Sequence, residues 1–123
     1  MLELILCALG LLIVQIMAHY PMNLQHVQFF LSNRHGEIEY SETTLRIQRA
    51  AANLKETLPI FLTLMILGMM QGVDLTLLGS CWLGLRVAFF ILYSLGIEKV
   101  RSVVWILALI VLAVMGSTLL STL

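Results

Sequence analysis

Arg49-Ala50-Ala51-Ala52-Asn53-Leu54-Lys55-Glu56-Thr57-Leu58-Pro59 runs directly into Ile60-Phe61-Leu62-Thr63-Leu64-Met65-Ile66-Leu67. The second half of this stretch is bilayer material. The first half carries a polar stripe: Arg49, Asn53 and Glu56 stand at i, i+4 and i+7, one face of a helix. A cation, an amide and an anion at the mouth of a membrane helix are costly. Their alignment suggests a polar ligand held where lipid should be.

The rest of the chain fits a membrane setting. Of 123 residues, 60% are hydrophobic and 11% charged, too little polar material to clothe a soluble domain. The length allows one bundle, a single domain over 1–123. A formal net charge of zero gives no support to a general affinity for nucleic acid. Glu3 stands where a signal peptide would carry basic residues, and no A-x-A site follows, so the first apolar run is expected to stay as a membrane helix.

Four segments reach or approach the roughly 20 residues needed to cross the hydrocarbon core. They cover about 2–20 (or on to 30 as a kinked helix past Pro21), 45–70, 75–97 and 100–122. The fold class expected is all-α, a four-transmembrane-helix bundle. Gln71-Gly72-Val73-Asp74 is a short connection that predicts an antiparallel hairpin, and Ile97-Glu98-Lys99 is shorter still. The one long loop, from Ser32 to Glu42, is polar and carries Asn33-Arg34-His35-Gly36 turn chemistry; Ser41 and the residues after it offer helix N-caps.

Basic residues predict the orientation. Arg34, Arg46, Arg49 and Lys55 flank the first connection, and Lys99 and Arg101 flank the third. The N-terminus, the second connection and Ser117–Leu123 carry no Lys or Arg. The first and third connections are therefore expected in the cytoplasm, with both termini on the far side.

Depth follows from the same topology. At about 1.5 Å per residue, Glu56 lies roughly 16 Å along its helix from Leu45, and Arg86 roughly 16 Å from Ile97. They sit at similar depth on adjacent helices. Each charge alone would cost about 2.5–3.5 kcal/mol, so pairing across the helices or with a ligand is expected. Arg86, Phe89 and Tyr93 share a face at i, i+3 and i+7, and Arg49 falls near the level of Tyr93. Arg101 begins the next helix on the same side. A structural Glu56–Arg86 salt bridge is the simplest account, but it needs neither Asn53 nor a second arginine on that face. Lys55 points elsewhere and is read as a snorkelling surface lysine.

Other polar residues carry less. Gln15, His19 and Tyr20 read as interface anchors, and His26 and His35 as interfacial or solvated. No metal site is expected. Cys7 and Cys81 read as apolar-packed thiols rather than a disulfide. Met65, Met69 and Met70 read as core or lipid-facing filler. Gly68-x-x-x-Gly72 is a weak helix-packing pattern; Ser80-x-x-x-Gly84 and Ala113-x-x-x-Ser117 look better placed for close helix contacts.

Arg49-Ala50-x-x-Asn53-x-x-Glu56-x-x-Pro59 resembles the signature of the MAPEG family, membrane-associated proteins in eicosanoid and glutathione metabolism. Arg86-x-x-Phe89-x-x-x-Tyr93-x-x-Gly96, with Arg101-Ser102-x-x-Trp105, resembles the third and fourth helices of its short bacterial members. The resemblance covers essentially the whole chain. It implies a homotrimer of four-helix bundles, with glutathione as co-substrate bound between subunits near the cytoplasmic side. Arg49, Asn53, Glu56, Arg86 and Tyr93 would bind the tripeptide, and Arg101 with Tyr93 would serve catalysis. A guanidinium near the thiol favours the thiolate, the reactive form. The implied activity is glutathione transferase or peroxidase chemistry on a lipophilic electrophile or hydroperoxide arriving through the bilayer.

Two alternatives stand beside it. Phe89 occupies a position where the family carries a tyrosine, and no Lys or Arg occurs from Met1 to Asn33. Both features favour a non-catalytic lipid-binding or scaffold member of the same fold. A small drug exporter would need an acid deep in the first helix, where the chain has only Glu3 near its end.

Overall fold

A computed structural model describes residues 1–18 and 42–123. The described residues form four helices and no strands: α1 (Leu2–Met17), α2 (Glu42–Gln71), α3 (Thr76–Ser94) and α4 (Lys99–Leu120). The possible extension of the first helix to 30, the polar loop and the histidines at 19, 26 and 35 lie outside the described residues. α2, α3 and α4 are long and apolar enough to cross a membrane. α1 is a shorter apolar helix of 16 residues, about 24 Å long.

α2 starts three residues before the expected Leu45. Glu42 favours the helix N-terminus and pairs with Arg46 one turn on, Oε1 to Nη2 at 2.6 Å. Pro59 lies inside α2, where its missing N–H falls on an exposed face and the helix continues through it.

The two tight connections use one device. Gly72 (φ +71) follows α2, and the Val73 N–H donates to the Gly68 carbonyl at 2.9 Å. Gly96 (φ +77) follows α3, and the Ile97 N–H donates to Leu92 while Gly96 donates to Tyr93, both at 3.0 Å. Both are glycine-terminated helix ends whose left-handed residue lets the chain fold back and satisfy otherwise orphaned carbonyls. This stops α3 at Ser94 rather than near 97.

The core centres on α2. Leu54, Leu58, Phe61 and Met65 form its buried row, joined by Ala8 of α1, Trp82 of α3, and Ala108, Leu112 and Met115 of α4. Phe61 and Trp82 stack with ring centroids 4.1 Å apart and planes at 10°. Between lipid-bathed helices such packing replaces the hydrophobic effect as the main attraction. Close approaches in the core occur at Gly79, against Met65 and Leu4, and at Gly68, against Leu75 and Met1. Gly84 faces open space, and Ser80, Ala113 and Ser117 are exposed. The small-residue contacts expected at those positions are thus made elsewhere within the bundle, because α3 turns Gly79, Trp82, Arg86 and Phe89 inward. Met65 is in the core, while Met69 and Met70 are exposed. Cys7 and Cys81 are free thiols on exposed faces rather than packed in the interior.

Candidate functional site

Call the end of the bundle that carries Arg46, Arg49, Lys99 and Arg101 the basic end. There the inward row of α3 meets the first turns of α4. Arg86 is 1% exposed, and its guanidinium carbon lies 4.5 Å from the centre of the Phe89 ring. Phe89 meets Tyr93 edge-on at 5.4 Å and 69°. Arg101 sits over the Tyr93 ring at 4.3 Å. Two guanidinium groups therefore cap a pair of aromatic rings. Each such contact contributes about 0.5–2 kcal/mol, most where water is excluded. The row exists because residues 86, 89 and 93 recur at helical spacing and Gly96 turns the chain so that α4 starts beside Tyr93.

A pocket of about 230 Å³ opens beside this row, lined by Asn53, Phe89, Tyr93, Arg101, Ser102 and Trp105. Asn53 Oδ1 and Trp105 Nε1 are buried without hydrogen-bond partners, as are Nε and Nη2 of Arg86. Buried polar atoms without partners cost on the order of 1–3 kcal/mol each, so a polar ligand or ordered water at this end would relieve a real penalty.

Of the residues singled out from sequence, the structure gathers Asn53, Tyr93 and Arg101 around one pocket. Arg86 lies behind it, against Phe89. Arg49 and Glu56 are exposed on the outer face of α2, since the buried side of that helix runs through Ala50, Leu54, Thr57 and Leu58. The Glu56–Arg86 salt bridge, the simpler structural alternative to a polar site, is therefore not formed among the described residues. Glu56 interacts with Arg86 electrostatically, but Arg46–Glu42 is the ion pair formed among the described residues. Residue counting placed Glu56 and Arg86 at one level, whereas helix rotation points Glu56 outward. No group of three or more metal-binding side chains occurs among the described residues.

Sequence reading put Phe89 on the face of Arg86 and Tyr93 but missed Ser102 and Trp105 as pocket walls. The signal was present: Trp105 follows Arg101 at i+4, on the same face of α4. A second recess, of about 180 Å³, lies on the other side of α2 between Gln15, Ile16, Gln48, Ala51, Ala52 and Lys55. Gln15 is 1% exposed, with its Oε1 unpartnered, so it is an interior polar residue rather than an interface anchor. At the opposite end of the bundle, an apolar cleft of about 300 Å³ separates Leu64 and Leu67 of α2 from Gly116, Leu119 and Leu120 of α4.

A family model, that of the MAPEG family, matches residues 2–121. No curated protein and no solved structure gives a significant match. The apolar helices and a match spanning nearly all of its 123 residues lead to one conclusion: the chain is an integral membrane protein belonging to the MAPEG family.

Proposed function

We propose that the protein is a homotrimer that binds glutathione at its basic end and transfers it to, or reduces, lipophilic substrates. The observation that carries this reading is the pocket beside Arg101, where a guanidinium over Tyr93 faces unpartnered polar atoms of Asn53 and Trp105. Glutathione offers what such a wall lacks: amide donors and acceptors, two carboxylates and a thiol. The pocket is smaller than the roughly 300 Å³ at the low end of small-molecule sites. It suits the thiol-bearing part of the tripeptide, and the charged ends would reach outward towards Arg49 and Glu56.

The outer face of α2 supports association with further copies of the chain. Arg49 and Glu56 are exposed there at membrane depth, where charges facing lipid are expensive. A neighbouring copy laid on this face would cover them. It would also bring its own polar recess, with Gln15, Gln48 and Lys55, towards the site. The distribution of basic residues supports placing the basic end on the cytoplasmic side, where glutathione is found, with both termini on the far side; the resemblance to short bacterial members supports a bacterial inner membrane.

In this reading the Arg101 guanidinium lowers the pKa of the bound thiol, from the ~8.5 of a free cysteine thiol. The thiolate sulfur then attacks an electrophilic carbon. A C–S bond forms, the leaving group departs with its electron pair, and the thiol proton has gone to solvent. With a hydroperoxide, the sulfur attacks the outer oxygen: an S–O bond forms and the O–O bond breaks with its electron pair on the departing alkoxide, which takes a proton to become the alcohol. A second glutathione reduces the resulting sulfenic acid to give glutathione disulfide and water. Calorimetry with glutathione in nanodiscs is the test. Saturable binding that weakens about 10-fold or more in Arg49→Ala and Glu56→Ala is expected, in line with lost charged hydrogen bonds. No heat at millimolar glutathione in a folded trimer would end this reading.

A second reading has its own support: a lipid-binding member without catalysis. Phe89 lacks a hydroxyl in the pocket wall, and the apolar cleft between α2 and α4 suits an acyl chain. Conjugation of a general electrophile separates the two. Turnover that disappears in Arg101→Ala counts against the lipid-binding reading; bound fatty acid with no turnover favours it.

A further inference from the structure

Arg101 reaches the pocket only because the α3–α4 turn puts the start of α4 beside Tyr93. That turn has little to hold it by burial. Leu95, Ile97 and Val100 are all exposed, at 67%, 41% and 53%. α3 carries no cation of its own in its last turn. What lies against the turn is Arg46, from the first turns of α2. A Cβ added at Gly96 would stand 2.9 Å from Arg46 Cζ, 3.0 Å from Nη1 and 3.1 Å from Nη2. These three distances are nearly equal although a C–N bond is about 1.33 Å long, so the guanidinium presents its flat face to the glycine. Nη2 of the same group donates a hydrogen bond to Glu42 Oε1 at 2.6 Å.

We propose that Arg46 is a positioning residue for Arg101: its guanidinium plate, braced by Glu42 and seated on Gly96, clamps the α3–α4 turn and so sets Arg101 over Tyr93. Gly96 is required twice, by φ +77 and by the space the plate occupies. The charge of Arg46 also complements the carbonyl end of α3, which the plate covers. Lysine would keep the charge and lose the flat face. The catalytic part of this assignment rests on the glutathione reading above; the clamp itself does not.

Hydrogen exchange by mass spectrometry in nanodiscs reads the clamp without any ligand. In Arg46→Ala, amides of residues 96–102 exchange about 10-fold faster, while those of the α2 core row are unchanged. Arg46→Lys behaves like Arg46→Ala, and Glu42→Gln gives a smaller change of the same kind. Unchanged exchange at 96–102, or full protection in Arg46→Lys, overturns the clamp. Kinetics then read its purpose: kcat for conjugation falls about 10-fold in Arg46→Ala with KM for glutathione within about twofold. A parallel loss in kcat and KM with exchange raised throughout the bundle would mean that Arg46 merely supports the fold, and overturns the assignment. If the unsubstituted protein binds no glutathione, the functional reading fails while the exchange result still decides the clamp.

Discussion

The two ends of the bundle solve the same topological problem with opposite degrees of completion. At each end a glycine with positive φ reverses the chain. Where α2 turns into α3, side chains pack closely on the turn: Leu75 is fully buried against Gly68, which Met1 also approaches, and Gly79 lies against Met65 and Leu4. Where α3 turns into α4, the apolar residues face outward and polar atoms stand unpaired. Packing holds one turn; the other end keeps most of the unfilled hydrogen-bonding capacity, with Trp82 Nε1 in the core the exception among the described residues. Structures keep such debts mainly where something else settles them, which is why the basic end is the place to seek a ligand.

The sharpest way to break this contrast is to damage the packed half. Trp82→Ala removes the partner of Phe61 and leaves a cavity beneath α2. It should lower stability by about 3 kcal/mol, near the low end for aromatic deletions because lipid, not water, surrounds the bundle. Thermal unfolding in detergent, followed by circular dichroism, checks this. Glutathione affinity of the fraction that stays folded should change little. A comparable loss of affinity would mean that the two halves are not separable.

Arg101→Ala attacks the other half. Its guanidinium contacts Tyr93 and little of the core, so the unfolding temperature should move only slightly. Conjugation should fall by about 10- to 100-fold, the equivalent of a lost charge-assisted interaction of roughly 1.5–3 kcal/mol. Stability lost without any change in turnover would place Arg101 among the structural residues instead.

How much of this was readable beforehand depends on which coordinate is asked for. Hydropathy alone yields the helices, since a run such as Val103-Val104-Trp105-Ile106-Leu107 has no other stable home. Glycine marks both turns for a mechanical reason. Level along a helix also follows from counting, and Asn53, Phe89 and Tyr93 do meet around one pocket. Rotation about the helix is harder to read. In a soluble protein the polar side of a helix faces water and announces itself. In a membrane both faces of α2 are apolar apart from a few groups, so Glu56 could point towards Arg86 or away from it with equal sequence support. The Arg46–Gly96 contact was hidden for a related reason: it joins residues 50 positions apart through a face that has no side chain.

Phe89→Tyr sharpens the comparison from the other direction. A hydroxyl added beside Tyr93 would supply the unsatisfied pocket with a further hydrogen-bonding group. If the pocket holds glutathione, the substitution should tighten binding or raise kcat by about two- to tenfold, the worth of one net hydrogen bond at roughly 0.5–1.5 kcal/mol. Fold stability should hardly move. Calorimetry and steady-state kinetics on the same preparation report both quantities. Weaker binding without destabilisation would mean that the bare ring, and its contact with Arg86, is what the site uses.

The smallest effect expected belongs to the α2–α3 end and involves an exposed acid at its turn. Asp74 accepts hydrogen bonds from the Thr76 hydroxyl at 2.5 Å and the Thr76 N–H at 2.9 Å, just where α3 begins. Those bonds, the hydroxyl's first, hold its carboxyl below the ordinary value of 3.8. A carboxyl with a depressed folded pKa stabilises the fold fully above its unfolded pKa. That contribution fades as pH falls through the folded value. The unfolding temperature of the unsubstituted protein should therefore dip on acidification from pH 5 towards 3, and Asp74→Ala should remove that part of the dip. Asp74 is fully exposed, so solvent screens the interaction and the difference should be small. An equal dip in Asp74→Ala would mean that the Asp74–Thr76 hydrogen bonds do not carry the acid sensitivity.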